Sequence, residues 1–267
     1  MSGLHETIGL HVTESRTLPL SSLDLDSSRY AIFLDFDGVI ADIAPRPDAV
    51  TVPEFRASVV ADLRRATEGA LALVSGREID DIRSVFPGYE GAASGGHGAE
   101  TEWPDGTRES ATADPASIES VREAMRSFAD TREGLLFETK RLGGVLHYRA
   151  DPSLEEPARR MVETLLEDHP ALELQVAKMA FEVKPAGFSK GSVIEAFMAR
   201  APFAGRVPFY AGDDVTDEAA FEVVNGMGGT SVKVGEGATC ASYRADSPSD
   251  LFAWLGSQLE PARAATH

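Results

Sequence analysis

The chain has one cysteine, Cys240, in 267 residues. A lone thiol makes no intramolecular disulfide and no cysteine-based zinc cluster, and no His/Asn partner pattern surrounds it. It reads as a buried or bystander residue. Long apolar runs are also missing, and nothing approaches the roughly 20 residues that a membrane span needs. The first residues carry His5, Glu6 and His11 and lack the basic start and apolar stretch of a secretion signal. A cytoplasmic location is the expectation. Positive charge is scarce: 25 Lys and Arg stand against 43 Asp and Glu, a formal net charge of −18. Such a surface repels nucleic acid and anionic membranes, so neither is expected as a partner. Any site for an anionic group must then gather its cations locally.

What is present reads as a soluble α/β protein, with 25% charged and 43% hydrophobic residues in ordinary balance. The length suits one large domain, or a core carrying a smaller insert. Residues 1–28 are polar and serine-rich and are expected to form a loose N-terminal arm. A strand is expected at 30–36. Pro45, Pro47 and Pro53 then break the chain into a loop before a helix over 54–67. Gly69 to Ser75 is a short apolar run of the buried-strand type, and Ile79, Ile82 and Phe86 recur at helical spacing over 76–86. Strand, helix, strand and helix in that order indicate a parallel sheet. After about residue 110 the pattern changes. Helices fit 114–132 and 153–168, two short strands lie around Gly143-Gly144 as a hairpin, and 171–184 holds two more strands. The α/β pattern then resumes: Ser189 can cap a helix over 190–200, a strand over 207–212 ends in Asp213-Asp214, a helix fits 216–224, a strand 231–234 and a helix 249–259. The expected division is a core of residues 29–110 and 186–267 interrupted by an α+β insert over 111–185.

The run Ala31 to Ile40 holds the most informative chemistry, an apolar segment ending in Asp35-Phe36-Asp37-Gly38. Alternate strand residues share a face, so Asp35 and Asp37 can enter one site while Phe36 turns away. Paired carboxylates repel unless a cation, a shared proton or separate tasks keep them together. A nucleophile and an acid/base acting on a phosphoryl group beside Mg²⁺ meet that condition; so does a polar strand end with a turn glycine. Three further positions stand at strand ends or helix starts: Ser75, Lys190 and the group Asp213, Asp214 and Asp217. Taken singly, Ser75 could be a helix cap, Lys190 a solvated helix residue, and the aspartates an acidic helix start. Together they can meet at the carboxyl ends of parallel strands, where such sheets gather ligands. Asp35, the Asp37 carbonyl and Asp213 form a reasonable Mg²⁺ set. Ser75 would offer a hydroxyl and nearby amides to phosphoryl oxygens, and Lys190 the positive charge that the composition withholds.

Asp35-Phe36-Asp37-Gly38-Val39, Ser75-Gly76-Arg77, Lys190-Gly191 and Gly212-Asp213-Asp214-x-x-Asp217-Glu218 resemble the four motifs of the haloacid dehalogenase superfamily of phosphatases. Gly96-His97-Gly98-Ala99-Glu100, His147-Tyr148-Arg149 and Glu182-Val183-Lys184-Pro185 resemble its trehalose-6-phosphate phosphatase branch, and the likeness runs over about residues 30–256. The resemblance implies a Rossmann-like core with a parallel sheet and an αββαββ cap. It implies Asp35 as nucleophile, Asp37 as acid/base, and Ser75 and Lys190 as phosphate contacts. The implied metal ligands are Asp35, Asp37 and Asp213, supported by Asp214 and Asp217. Val39 stands where many members carry Thr, a change that a backbone role tolerates.

Sugar hydroxyls call for hydrogen-bonding side chains. Glu138, Lys140, His147 and Glu182 are the candidates from the insert, and Arg77, His97, Glu100 and Glu218 those from the core. His147 and Arg149 could equally pair with acidic neighbours, and Trp103 before Pro104-Asp105-Gly106 reads as a hairpin element. The implied activity is Mg²⁺-dependent hydrolysis of trehalose 6-phosphate through an aspartyl-phosphate. The alternatives are a phosphatase for sucrose 6-phosphate or a mannosyl-phosphoglycerate, a phosphomutase, and a non-catalytic sugar-phosphate sensor. A monomer is expected, with a trehalose-phosphate synthase as the protein it could associate with.

Overall fold

The computed structural model describes residues 17–43 and 50–264, with side chains up to residue 259. The loop expected around Pro45 and Pro47, and the first 16 residues of the expected arm, lie outside that set. Thirteen strands and seven helices are formed by the described residues. The strands are β1 (Leu18–Pro19), β2 (Tyr30–Leu34), β3 (Leu71–Val74), β4 (Ala92–Gly95), β5 (Glu100–Glu102), β6 (Arg108–Ser110), β7 (Leu136–Lys140), β8 (Gly143–His147), β9 (Leu172–Ala177), β10 (Ala180–Pro185), β11 (Val207–Gly212), β12 (Thr230–Val234) and β13 (Tyr243–Ala245). The helices are α1 (Glu54–Ala66), α2 (Ile79–Val85), α3 (Pro115–Asp130), α4 (Glu155–Leu166), α5 (Lys190–Met198), α6 (Glu218–Gly226) and α7 (Pro248–Ala264).

Two sheets result. The larger has nine strands in the order β1-β13-β12-β11-β2-β3-β4-β5-β6, parallel from β1 through β4 and antiparallel at β5 and β6. β2 shows why these strands are buried on both faces. Ile32 and Leu34 enter one apolar cluster with Val60 and Leu63 of α1 and Leu251 and Phe252 of α7. Ala31 and Phe33, one residue out of phase, enter the other with Ile194 and Phe197 of α5 and Phe221 of α6. A continuous apolar run is what a strand covered by helices on both sides requires.

The chain leaves β2 toward β3 and β4 on one side and later returns to β11, β12 and β13 on the other. The strand order therefore reverses between β2 and β11, which pair directly from Val207↔Tyr30 to Ala211↔Leu34. Such a reversal opens a crevice at the carboxyl ends of the two strands. Asp35 and Asp37 follow one strand and Asp213 the other.

Between β6 and α5 lie α3, β7, β8, α4, β9 and β10, the αββαββ order. Their sheet runs β7-β8-β10-β9, all antiparallel, and Val121, Met125, Val162 and Phe181 build a separate apolar core under α3 and α4. α3 starts where its signals say: Asp114 accepts from the Ser117 amide, with Pro115 in the first turn.

Three expectations need correction. Residues 17–28 are not a loose arm: β1 pairs with β13, Leu20 and Leu25 are buried in the core, and the Leu25 amide donates to Gln258 at 3.0 Å. The hairpin between β7 and β8 turns at Arg141-Leu142, since Lys140 pairs with Gly143. Gly143 and Gly144 lie inside β8, where a Cβ would stand 1.8 Å from the Val183 carbonyl oxygen and 2.6 Å from the Phe137 ring. They are small because the neighbouring strand and ring come close, and the turn itself has no glycine. Finally, α2 begins at Ile79 rather than residue 76, so Ser75 is no helix cap. Among the described residues no helix is long and apolar enough to cross a membrane.

Candidate active site

The crevice between β2 and β11 collects an acidic group around one lysine. Asp35, 4% exposed, accepts from its neighbour's amide, Phe36 N, at 2.7 Å. Lys190, the first residue of α5, is equally buried, and its Nζ lies 3.0 Å from Asp35 Oδ2 and 2.6 Å from Asp217 Oδ1. Ser189 sets that lysine in place by capping α5 reciprocally with Ser192. Asp217 is fully buried and its oxygens are committed: Oδ1 also accepts from the Tyr210 hydroxyl at 2.5 Å, and Oδ2 from the Asp214 amide at 2.8 Å. Gly212 permits this approach, because a Cβ there would lie 2.3 Å from Asp217 Cγ.

Asp213 completes the group. One oxygen each from Asp35, Asp213 and Asp217 lies within 4.8 Å of the others. Gly38 has φ +74°, and a Cβ on it would stand 2.1 Å from Asp213 Oδ2, so the glycine serves both the tight turn after β2 and the nearness of the second strand end. The Asp213 carbonyl accepts from Lys233 Nζ on β12. Titration behaviour follows the crowding. Removal from water, then the Asp217 charge, pushes the Asp213 carboxyl up to about 7, against Lys190 and Lys233. Burial, then Asp217, raises Asp35 well above the carboxylate range, with Lys190 opposing. For Asp217, burial is outweighed by Lys190 and the two hydrogen bonds, and its pKa is lowered.

Asp37 sits at the rim, its carboxylate held by both forks of Arg77: Nε to Oδ2 at 2.7 Å and Nη2 to Oδ1 at 2.8 Å. Ser75 is buried next to it, its Oγ accepting the Arg77 amide at 3.1 Å and so shaping the turn. His97 leans over this turn, where a Cβ on Gly76 would meet its Nε2 at 2.5 Å, and that nitrogen lies 3.1 Å from Glu182 Oε2 of β10.

The insert faces this rim with its β7–β8 hairpin. Glu138 is 2.9 Å from His147 Nε2 and 2.6 Å from Lys140 Nζ. The hydrogen bond from His147, with Lys140 beside it, lowers its carboxyl to about 2 against burial. Arg77 feels the Glu138 charge, and Lys140 that of Glu182. Three of the expected residues have other partners. Glu100 is paired with Arg141, and Glu218 Oε2 accepts the Cys240 amide at 2.8 Å. Asp214 meets Asp217 through its backbone, its carbonyl accepting the Asp217 amide at 3.2 Å and its amide donating to Asp217 Oδ2, and Asp213 rather than Asp214 belongs to the acidic group. Tyr210, Lys233 and Arg141 belong to the network although the motifs pass over them. Tyr210 and Lys233 read only as strand residues, and their alignment with Asp217 and Asp213 comes from sheet register.

The family model described as trehalose-phosphatase matches residues 33–249. The chain belongs to the trehalose-phosphatase family. It is 38% identical over 239 residues to the trehalose-6-phosphate phosphatase of Escherichia coli strain K12, covering 90% of each chain. A solved structure of a trehalose-6-phosphate phosphatase related protein superposes with a TM-score of 0.72 at 25% identity, over 88% of this chain and 99% of that one. A haloacid dehalogenase-like hydrolase from B. subtilis gives a TM-score of 0.60 at 14% identity, over 85% of this chain and 99% of that one, a likeness of fold. The fold of this trehalose-phosphatase family member is the Rossmann-like haloacid dehalogenase core with an inserted αββαββ unit.

Proposed function

We propose that the chain hydrolyses trehalose 6-phosphate to trehalose and phosphate through an aspartyl-phosphate on Asp35. The carrying observation is the span of the family match. Residues 33–249 include both the crevice with Asp35, Lys190 and Asp213 and the insert with Glu138, Lys140 and His147. In this reading residues 111–185 are a cap over a core of 29–110 and 186–267.

A divalent cation fits the acidic group. Asp35 and Asp217 share the buried ammonium of Lys190, and Lys233 reaches the Asp213 carbonyl, so the three carboxylates outnumber the two cations beside them. Among the described residues nothing donates a hydrogen bond to the Asp213 carboxylate, whereas both oxygens of Asp217 are taken. Asp35 and Asp213 would therefore hold Mg²⁺, with the Asp37 carbonyl, while Asp217 orients Lys190. Bound there, Mg²⁺ would supply the positive charge that keeps the nucleophile ionised and offsets the phosphoryl oxygens.

Asp35 attacks phosphorus in line with the sugar oxygen, which leaves with a proton from Asp37. A water then attacks the aspartyl-phosphate and gives its proton back to Asp37. Arg77 holds Asp37 with two parallel hydrogen bonds. Its fork fits a phosphoryl group equally well, so the arriving dianion can exchange partners with Asp37. Lys190 stays beside Asp35 and counters charge in the loose transition state. Glu138, Lys140, His147 and Glu182 supply donors and acceptors for sugar hydroxyls, and the cap excludes water while it covers the crevice.

Phosphate release from trehalose 6-phosphate, glucose 6-phosphate and sucrose 6-phosphate, with and without Mg²⁺, tests the reading. Trehalose 6-phosphate is expected to be preferred and Mg²⁺ to be required, and Asp35→Asn is expected to abolish turnover with an unchanged circular dichroism spectrum. Equal rates on trehalose 6-phosphate and glucose 6-phosphate would refute the substrate. No release from any ester would favour a sugar-phosphate sensor.

A further inference from the structure

The β7–β8 turn is gripped from two sides. From within the insert, Arg122 of α3 donates Nε to the Gly143 carbonyl at 3.1 Å and Nη2 to the carbonyls of Lys140 and Arg141. From the core, the Arg141 amide donates to Glu78 Oε1 at 2.6 Å, and the Arg141 side chain crosses to Glu100. Arg141 Nε lies 2.8 Å from Glu100 Oε1, Nη2 bonds the same oxygen, and Nη2 reaches Ser110 Oγ at 3.1 Å. Glu100 Oε2 accepts the Ile79 amide at the start of α2, at 3.3 Å. The Glu100 carboxylate is only 10% exposed, and its two oxygens are divided: Oε1 holds the hairpin arginine and Oε2 is anchored to the core at α2.

We propose that Arg141 and Glu100 are positioning residues for substrate recognition, a pair that fixes where the β7–β8 hairpin returns and hence where Glu138, Lys140 and His147 stand over the Asp37–Arg77 rim. Naming the substrate as a disaccharide phosphate rests on the proposed function; the positioning of the hairpin does not.

The physical reasoning has two steps. The gap lined by Gly76, Glu100, Lys140 and Glu182 encloses about 20 Å³, room for one water, so a sugar ring enters it only after the hairpin lifts. The hairpin must then come back to one place. Lys140 is adjacent to Arg141, and Glu138 is tied to both Lys140 and His147, so the grip at Arg141 is transmitted to all three sugar-facing groups within a few residues. Removing Arg141 leaves the Glu100 carboxylate buried without its cation. The hairpin then keeps only the Arg141 amide on Glu78 as its tie to the core at this turn, and the closed position is held less firmly. The closed position then loses population, and a ligand that needs it binds more weakly by the same factor.

The pair is tested with Arg141→Ala and Arg141→Lys, assayed on trehalose 6-phosphate and on p-nitrophenyl phosphate, which has no sugar hydroxyls. Arg141→Ala is expected to raise KM for the disaccharide phosphate about tenfold, the scale of losing one partly buried charge pair, with kcat and the p-nitrophenyl phosphate kcat/KM within about twofold. Arg141→Lys, which keeps the charge but loses the fork, should recover part of the KM. A purely structural role would instead lower the melting temperature and both substrates' rates together. A second measurement needs no activity: in a Cys240→Ser background, spin labels at Lys178→Cys in the insert and Asp105→Cys in the core report their separation. Arg141→Ala should lengthen and broaden that distance distribution. An unchanged distribution, or an unchanged KM on the preferred sugar phosphate, overturns the proposal. Failure of the wild-type chain to prefer trehalose 6-phosphate overturns the substrate assignment and leaves the distance measurement to decide the pair.

Discussion

Gly38→Ala separates stability from chemistry at the crevice. Gly38 has φ +74°, its amide bonds the Ala41 carbonyl at 2.8 Å, and the added methyl would lie 2.1 Å from Asp213 Oδ2 and 2.2 Å from Asp213 Cγ. Left-handed backbone strain on an L-residue amounts to about 1–2 kcal/mol. Against a typical domain stability of about 5–15 kcal/mol, the variant still folds. The steric effect is of another kind. Ordinary carbon–oxygen contact needs more than 3 Å, so Asp213 must move by roughly 1 Å or the turn after β2 must, and either moves a strand end of the site. A displacement of about 1 Å can reduce turnover by about 10²-fold. The expected outcome is a loss of about 2–5 kcal/mol in urea unfolding, backbone strain and the relieved clash together, with a fall of about 10²-fold in kcat/KM and a higher Mg²⁺ requirement. Wild-type kcat/KM and Mg²⁺ response in a folded variant would show that Asp213 need not hold its place, and would remove it from the site.

Lys190→Met tests the opposite balance: it removes the one cation between Asp35 and Asp217 and leaves both carboxylates buried. Breaking such a pair destabilises by about 3–5 kcal/mol, so thermal unfolding without metal should drop sharply and turnover should vanish; a melting temperature within a degree or two of wild type would refute the buried-charge account. The pH dependence follows from Asp213, whose folded pKa of about 7 lies above the unfolded 3.8. The folded state keeps a proton there that the unfolded chain has already released. The group therefore destabilises the metal-free protein progressively as pH rises from about 4 toward 7, and is neutral to stability below that window. Mg²⁺ binds the ionised form, so the half-saturating Mg²⁺ for phosphate release should rise up to about tenfold per pH unit below 7. A Mg²⁺ requirement that is flat from about pH 8 to 6 would contradict this.

The parts legible in the sequence are those whose physics is local. β2 and β3 are apolar runs, α3 carries its own cap and proline, α5 has Ser189 before it, and the aspartates after β2 and β11 mark strand ends. β4 was not legible, because Ala92-Ala93-Ser94-Gly95 has no β-branched or aromatic residue and is a strand only because β3 and β5 pair with it. β1 is likewise made by its neighbour β13. Gly143-Gly144 carries the composition of a turn, yet the need for glycine arises from Val183 and Phe137, distant in sequence. In the site, the residue types could be read, but their pairing could not. Arg77 on Asp37 and Arg141 on Glu100 each join positions about 40 apart, and which carboxylate takes which cation is decided by the assembled crevice. Glu100 and Glu218 are alike in sequence as candidates for sugar hydroxyls, and packing gives one to an arginine of the insert and the other to the Cys240 amide.

This division has a mechanistic consequence. The groups proposed for phosphoryl transfer stand on strand ends and one helix start of a sheet buried on both faces, so their positions are set by the core and are the same for every ester. The groups proposed for the sugar stand on an antiparallel hairpin whose place depends on a few polar contacts across the cleft. Substitutions at Asp35, Gly38 or Lys190 should then lower kcat for large and small phosphate esters alike, because the transition state they stabilise is common to both. Changes at the hairpin and its Glu100 anchor should act on the ratio between esters, chiefly through KM, because they alter only interactions that a sugar makes. A core substitution that changed the ratio, or a hairpin substitution that lowered both rates equally, would show that the two sets are coupled more tightly than their separate supports imply.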